Sequence, residues 1–189
     1  MKYPVSPVVL PKDLRATPNG KLSRLQLRKI KPQGGYLYKS VAPHWEAMRK
    51  AAKKDGVNLT HVGAYRTYEE QVRLFAVRFS KDPTGDKRGI TRRWHGQTWY
   101  LRRGMAPVAV PGTSNHGFGI AIDCALLVGR EVLPITANPD GKGGWASGVD
   151  WLLRNAHRFG FTWEIADGPG AEPWHIRYVL GDAPPPYTL

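Results

Sequence analysis

Two short segments concentrate side chains able to do chemistry: Ser114-Asn-His116-Gly-Phe-Gly-Ile-Ala-Ile-Asp123 and Glu172-Pro-Trp-His175. Together they supply two imidazoles and two carboxylates. Two histidines and an aspartate would satisfy a catalytic zinc ion, which takes three protein ligands of N/O type and keeps a fourth position for water. A glutamate left free of the metal could then act as a base. Each residue taken alone has a plainer reading: an isolated histidine is more often a hydrogen-bonded surface or core residue, and Asp near Gly is usually turn chemistry. Their co-occurrence favours ligation, and so does the cost of burying Asp123 in an otherwise apolar strand without a partner.

Spacing sets conditions on the elements that carry these groups. His116 and Asp123 are seven apart and would face opposite sides of one continuous strand, so Gly117 and Gly119 must let the chain turn between them. Glu172 and His175 raise the same parity problem at separation three, which Pro173 can resolve by forcing a bend. Gly119 to Leu127 is expected to be a strand, with Ile120, Ile122 and Cys124 on one face and Ala121, Asp123 and Ala125 on the other. Val57 to Tyr65 also fits a strand. Thr67-Tyr-Glu-Glu70 is a capping box opening a helix over Tyr68 to Phe79, with Val72, Phe75, Ala76 and Phe79 inward, so that Arg66 sits at a strand-to-helix junction. Pro43 to Lys54 is predicted helical, with Trp45, Met48 and Ala52 sharing a face. After a Gly-rich turn, Ser147-Gly-Val-Asp150 caps a helix to Phe159, ended by Gly160. Phe161 to Ile165 and Trp174 to Val179 are candidate strands.

Residues 1–40 hold five prolines and little periodicity, and are read as a Pro-rich, basic, surface-wrapping arm. Residues 41–180 form the candidate catalytic domain, and 181–189 a Pro-rich tail. Residues 80–112, rich in Gly, Pro, Arg and Trp, form a long excursion with a short hairpin around Gly96.

The 189 residues suit one domain with a sizeable core. No run approaches the roughly 18 apolar residues that a membrane span requires, and Pro4 and Pro7 interrupt what could have been a signal peptide. The expectation is a chain made in the cytoplasm and released later. A lone Cys124 excludes an internal disulfide. Net charge is +13, and it is uneven: residues 1–105 carry 23 basic and 7 acidic side chains, residues 106–189 only 5 and 8. The basic half implies an anionic partner, which could be nucleic acid, a membrane surface or a cell-wall polymer, and the acidic remainder is where a cation would sit.

Ser-x-His-x-x-Gly-x-Ala-x-Asp at 114–123, followed by Glu-Pro-Trp-His at 172–175, resembles the motifs of zinc peptidases of the D-alanyl-D-alanine carboxypeptidase and L-alanyl-D-glutamate endopeptidase group. These are the VanY-like M15 peptidases, among them vancomycin-resistance enzymes and many bacteriophage endolysins. Ala64-Tyr-Arg66-Thr-Tyr-Glu-Glu-Gln71 is similar to the family's Gly-Tyr-Arg-Ser segment, with Ala64 in place of the usual glycine, and Trp151 to Phe161 is similar to the helix before the last motif. The resemblance implies an α+β fold of the hedgehog/DD-peptidase type: a small, mostly antiparallel sheet with flanking helices. It implies Zn2+ on His116, Asp123 and His175, Glu172 as catalytic base, and Arg66 and Ser114 contacting a peptidoglycan stem peptide, Arg66 by pairing with a substrate carboxylate. The expected activity is that of an endolysin-type L-alanyl-D-glutamate endopeptidase, with D-alanyl-D-alanine carboxypeptidase as the alternative; a basic nucleic-acid-binding protein is the competing reading from another class. A monomer is expected, and the long basic insertion at 80–112 is where specificity would depart from the family.

Overall fold

The structure is a computed structural model that describes residues 2–85, 87–135, 145–167 and 170–186. The Gly-rich turn expected before Ser147 and the last three residues of the tail lie outside the described residues.

In chain order, β1 (Leu27–Lys29) and β2 (Tyr36–Tyr38) precede helix α1 (Ala42–Lys54), β3 (Leu59–Gly63) and helix α2 (Tyr68–Arg78). β4 (Phe79–Ser80), β5 (Thr91–Trp94) and β6 (Gln97–Leu101) follow, then β7 (Ala121–Val128) and β8 (Glu131–Pro134). Helix α3 (Trp145–Asn155), β9 (Phe161–Trp163) and β10 (His175–Tyr178) complete the order. The result is the α+β architecture that the resemblance implied.

β7 is the centre of a five-stranded sheet ordered β3-β7-β10-β9, with β8 also paired to β7. Every pairing of named strands is antiparallel. Ile120, just before β7, and Ile122, Cys124 and Leu126 on it belong to the main core with Trp45, Met48, Leu152 and Trp163. The opposite parity leaves Asp123 on the other face. Trp45, Met48 and Ala52 of α1 are fully buried, as their spacing predicts.

The capping box of α2 forms as expected, with the Thr67 hydroxyl accepting from the Glu70 backbone N–H. Its inward face differs from the expectation. Ala76 is exposed and Val72 only half-buried, while Gln71 and Phe75 are buried. A polar side chain takes the inner position because it ties two loops together, as described below. At the other end of the chain, α3 already starts at Trp145, so Ser147 lies within its first turn rather than before it. Gly160, at φ 81°, closes the following turn in the left-handed region.

The excursion at 80–112 folds around a small core of its own. Phe75, Phe79 and Leu101 are fully buried, with Ile90, Trp94, Trp99, Val108 and Val110 packed against them. The hairpin anticipated around Gly96 is β5–β6, its Trp94–Gln97 pair closed by His95 (φ 49°) and Gly96 (φ 71°). Two consecutive positive φ values match the twist of a two-residue hairpin turn.

The N-terminal segment wraps the surface and also enters the core. Tyr3, Leu14, Leu22, Ile30, Leu37 and Tyr38 are buried in the main cluster. Val5 and Val9 bridge in parallel to Trp163 and Leu180.

Candidate metal centre

His116 lies in a 3-10 turn, Asn115–Phe118, that ends at Gly119 in the left-handed region (φ 65°). The turn separates it from β7 and resolves the parity problem. The chain around it is held from three directions: Asn19 Nδ2 donates to the Ser114 carbonyl (2.7 Å), Gly20 N–H to the Gly117 carbonyl (2.8 Å) and Tyr38 N–H to the Gly119 carbonyl (2.9 Å). A Cβ at Gly117 would overlap Asn19, and one at Gly119 would press on the Tyr38 backbone.

Asp123 and His175 are directly opposite each other in the β7–β10 register, so both side chains emerge on the same face. On the other side, β3 reaches Asp123 through Gly63 after an irregularity between His61 and Gly63. A Cβ at Gly63 would overlap the Asp123 carboxylate. The second motif turns as Pro173 requires: the His175 N–H donates to the Glu172 carbonyl (3.0 Å), a tight turn with proline at its second position. Buried Trp163 Nε1 donates to the Pro173 carbonyl (3.1 Å), and Cys124 N–H to the Trp174 carbonyl (2.7 Å), fixing that turn to the sheet.

Asp123 Oδ1 lies 3.3 Å from His116 Nε2 and 3.1 Å from His175 Nδ1. Donor atoms of the three residues all fall within 4.8 Å of one another. Ligands of a tetrahedral zinc, each about 2.0–2.2 Å from the ion, stand about 3.3–3.5 Å apart, so the donor set fits such an ion with one position left open. His116 Nδ1 is 2.7 Å from the Ala64 carbonyl, which can only accept, so Nδ1 donates there and Nε2 is the ring atom turned toward Asp123. His175 Nε2 lies 3.6 Å from Glu164 Oε2, and Glu164 in turn accepts from Asn115 Nδ2 (3.1 Å). The second imidazole is thus also oriented from behind by an acceptor.

Electrostatics follow from this crowding. Burial alone would raise the Asp123 carboxyl, but the hydrogen bonds from His116 and His175 outweigh it and hold the group well below the usual carboxylate range. Burial opposes charge on His175, yet Asp123 and Glu164 overcome it and push its pKa up to about 9. Glu172 reaches solvent through the cavity, but enough protein surrounds it that desolvation raises its pKa; the nearby His175 opposes this, and Asp123 and Glu164 add to it.

A cavity of about 590 Å³ brings all six sequence-derived candidates together: Arg66, Ser114, His116, Asp123, Glu172 and His175 line it. The Arg66 N–H donates to the His116 carbonyl (3.2 Å), and its guanidinium donates to Gln71 Oε1 (2.9 Å). Gln71 Nε2 then donates to the Ala109 carbonyl (2.7 Å), linking Arg66 to the far wall. Burial draws the Arg66 pKa down, and Arg78 nearby adds to this while Asp123 opposes it.

Sequence reasoning missed Glu164, Gly63, Gln71, Arg78 and Arg92, the last two also lining the cavity. Gln71 ends the Ala64–Gln71 segment and carried a signal in its polarity at a helix position that should face inward. Glu164 and Gly63 carried none, because their roles come from neighbours across strands. Cys124 is fully buried with its thiol pKa raised, a packed core residue as its strand parity predicts. His61 is buried against Trp45 and bonded to the Gly34 carbonyl (2.7 Å), away from the metal set.

The family model for the VanY D-alanyl-D-alanine carboxypeptidases matches residues 34–181. A D-alanyl-D-alanine carboxypeptidase of Enterococcus faecalis is 31% identical over 147 residues, 74% of this chain and 47% of the relative. The bifunctional D-Ala-D-Ala dipeptidase and carboxypeptidase VanXYC of Enterococcus gallinarum is 26% identical over 155 residues, 76% of this chain and 67% of the relative. The chain spans about half the length of curated relatives such as the E. faecalis protein. Among solved structures, VanYB in complex with D-alanine-D-alanine superposes with TM-score 0.56 at 24% identity, covering 91% of this chain and 85% of that one. The LdcB LD-carboxypeptidase gives TM-score 0.54 at 24% identity, over 94% and 70%. Fold, motif and family match coincide over the same stretch, and the chain belongs to the VanY D-alanyl-D-alanine carboxypeptidase family.

Proposed function

We propose that this chain is the catalytic unit of a zinc D-alanyl-D-alanine carboxypeptidase acting on peptidoglycan stem peptides. The observation that carries the reading is Asp123 Oδ1 standing 3.3 Å from His116 Nε2 and 3.1 Å from His175 Nδ1, in a cavity shared with Glu172 and Arg66. An L-alanyl-D-glutamate endopeptidase of endolysin type would use the same groups, but the relatives named above favour release of a terminal D-alanine.

Zinc on the three ligands would supply acidification of a bound water and polarisation of the scissile carbonyl. The chain's own residues do the rest. Glu172 takes the water proton on its carboxylate and returns it to the leaving amine of D-alanine. Its raised pKa brings it closer to the working pH, where a base is more effective. Arg66, fixed by Gln71, pairs with the carboxylate of the terminal D-alanine. Ser114, buried at the cavity edge, contacts the same substrate end. Ala64 and Glu164 hold the two imidazoles in the orientation ligation requires. The basic N-terminal half draws the protein to an anionic cell-wall polymer at its place of action. A nucleic-acid-binding protein would have no use for the three converging ligands.

The test is release of D-alanine from an acetylated peptide ending in D-Ala-D-Ala. Turnover should vanish with a chelator and return with zinc. Metal-independent release, or no release from the zinc-loaded protein, would overturn the reading.

A further inference from the structure

A terminal D-alanine presents one carboxylate and needs one guanidinium, yet the cavity is lined by three: Arg66, Arg78 and Arg92. Among the described residues none of the three has a carboxylate within ion-pair distance. Arg66 is held by Gln71. Arg78, the last residue of α2, donates to the Ala106 carbonyl (3.2 Å), and Arg92 on β5 donates to the carbonyl of its neighbour Thr91 (3.0 Å). The Arg92 guanidinium also lies over the ring of Phe79, 5.9 Å from its centroid, which sets it beside the end of α2. Both are half-buried, and each keeps donors in hand after these bonds. Unpaired like charges in a partly enclosed cavity repel, and an anion relieves that repulsion.

Of the cavity's carboxylates, Asp123 and Glu164 are paired with the imidazoles, and Glu172 feels the charge of Arg78 but lies beyond ion-pair distance of it. The two extra arginines come from α2 and the 80–112 excursion, outside the sheet that carries the ligands. Resting on the carboxypeptidase reading, we propose that Arg78 and Arg92 form a second carboxylate subsite, which selects stem peptides whose residue before D-Ala-D-Ala bears a free side-chain carboxylate. The leaving D-alanine has no second carboxylate to offer, so the anion must belong to the acyl part of the substrate. A diamino-dicarboxylic acid in that position satisfies the subsite, and a plain diamine does not.

The probes are two acetylated peptides, each ending in D-Ala-D-Ala, preceded by 2-aminopimelic acid or by its side-chain amide. Binding is measured by calorimetry on the full zinc-loaded chain carrying Glu172→Gln, and D-alanine release on the wild-type protein. The acid should bind about tenfold more tightly than the amide, as expected for a charge-assisted pair. The preference should collapse when Arg78→Gln and Arg92→Gln are added together, and largely survive Arg78→Lys. Arg92→Gln alone, on the hairpin, should reduce it without touching α2. Equal binding of the two peptides, or a preference that persists without both guanidinium groups, would overturn the subsite. If the preference holds but neither peptide loses D-alanine on wild-type protein, the subsite stands and the carboxypeptidase reading fails.

Discussion

Glu172→Gln keeps the size and hydrogen-bonding surface of the side chain while removing its capacity to take a proton. The three ligands are untouched, so zinc content should match wild type while kcat falls by about 100- to 10,000-fold, the usual worth of a positioned acid–base group. Metal analysis and turnover on the same sample check this, and undiminished turnover would exclude Glu172 from the reaction. His175 gives a prediction of a different kind. In the metal-free protein Asp123 and Glu164 keep it protonated up to a pKa of about 9. Because the folded value lies above the ordinary histidine value of about 6.5, its contribution to stability is complete below that pH and is lost as pH rises through 9. Thermal melts of chelator-treated protein should therefore show falling stability between pH 7 and 10, and an NMR titration should place the His175 ring midpoint near 9; a midpoint near 6.5 would contradict the pairing described. Candidate metal ligands are legible in a sequence because few residue types can serve, and His116, Asp123 and His175 stood out for that reason. Glu164 was not legible, since nothing in its own segment says that His175 will lie across from it.

Among the elements, β7 decides whether the site exists, for it carries Asp123 and fixes its neighbours by register. β10 brings His175 opposite, and β3 passes so close on the other edge that only a hydrogen fits at position 63. Gly63→Ala would force a methyl group into the Asp123 carboxylate. The backbone there has an ordinary φ, so the chain should still fold, and the damage should fall on the metal: zinc affinity lowered by about 10- to 100-fold, as for changes just behind a ligand. Competition with a chelating dye measures it, and wild-type affinity would show that β3 yields without disturbing Asp123. The alternation along β7 and the α2 capping box were readable because period and cap chemistry are local. The close approach of β3 was not, because a glycine in a strand does not reveal what it makes room for. Likewise Gln71 defeated the apolar pattern of α2: its inward position serves Arg66 and the Ala109 carbonyl rather than the core.

For the whole molecule, the decisive matter is how far the folded unit that carries the site extends toward the N-terminus. Proline content and missing periodicity suggested an arm apart from a domain at 41–180, since irregular chain leaves no repeating pattern from which burial can be read. Yet Leu14 is fully buried, Tyr3 and Leu22 nearly so, and Asn19 and Gly20 hold the loop that presents His116. Burial of such side chains contributes about 1.5–3 kcal/mol each, so losing three removes several kcal/mol from a fold whose total is about 5–15 kcal/mol. A chain starting at residue 23 should thus melt at least about 10 °C lower or lose its cooperative transition, and its zinc affinity should drop with the support of the His116 loop. If arm and domain are separable, the shortened chain keeps both its melting temperature and its metal. Calorimetry and metal titration on the two lengths distinguish these outcomes, and loss of metal without loss of cooperativity would localise the arm's role to the Ser114–Gly119 turn.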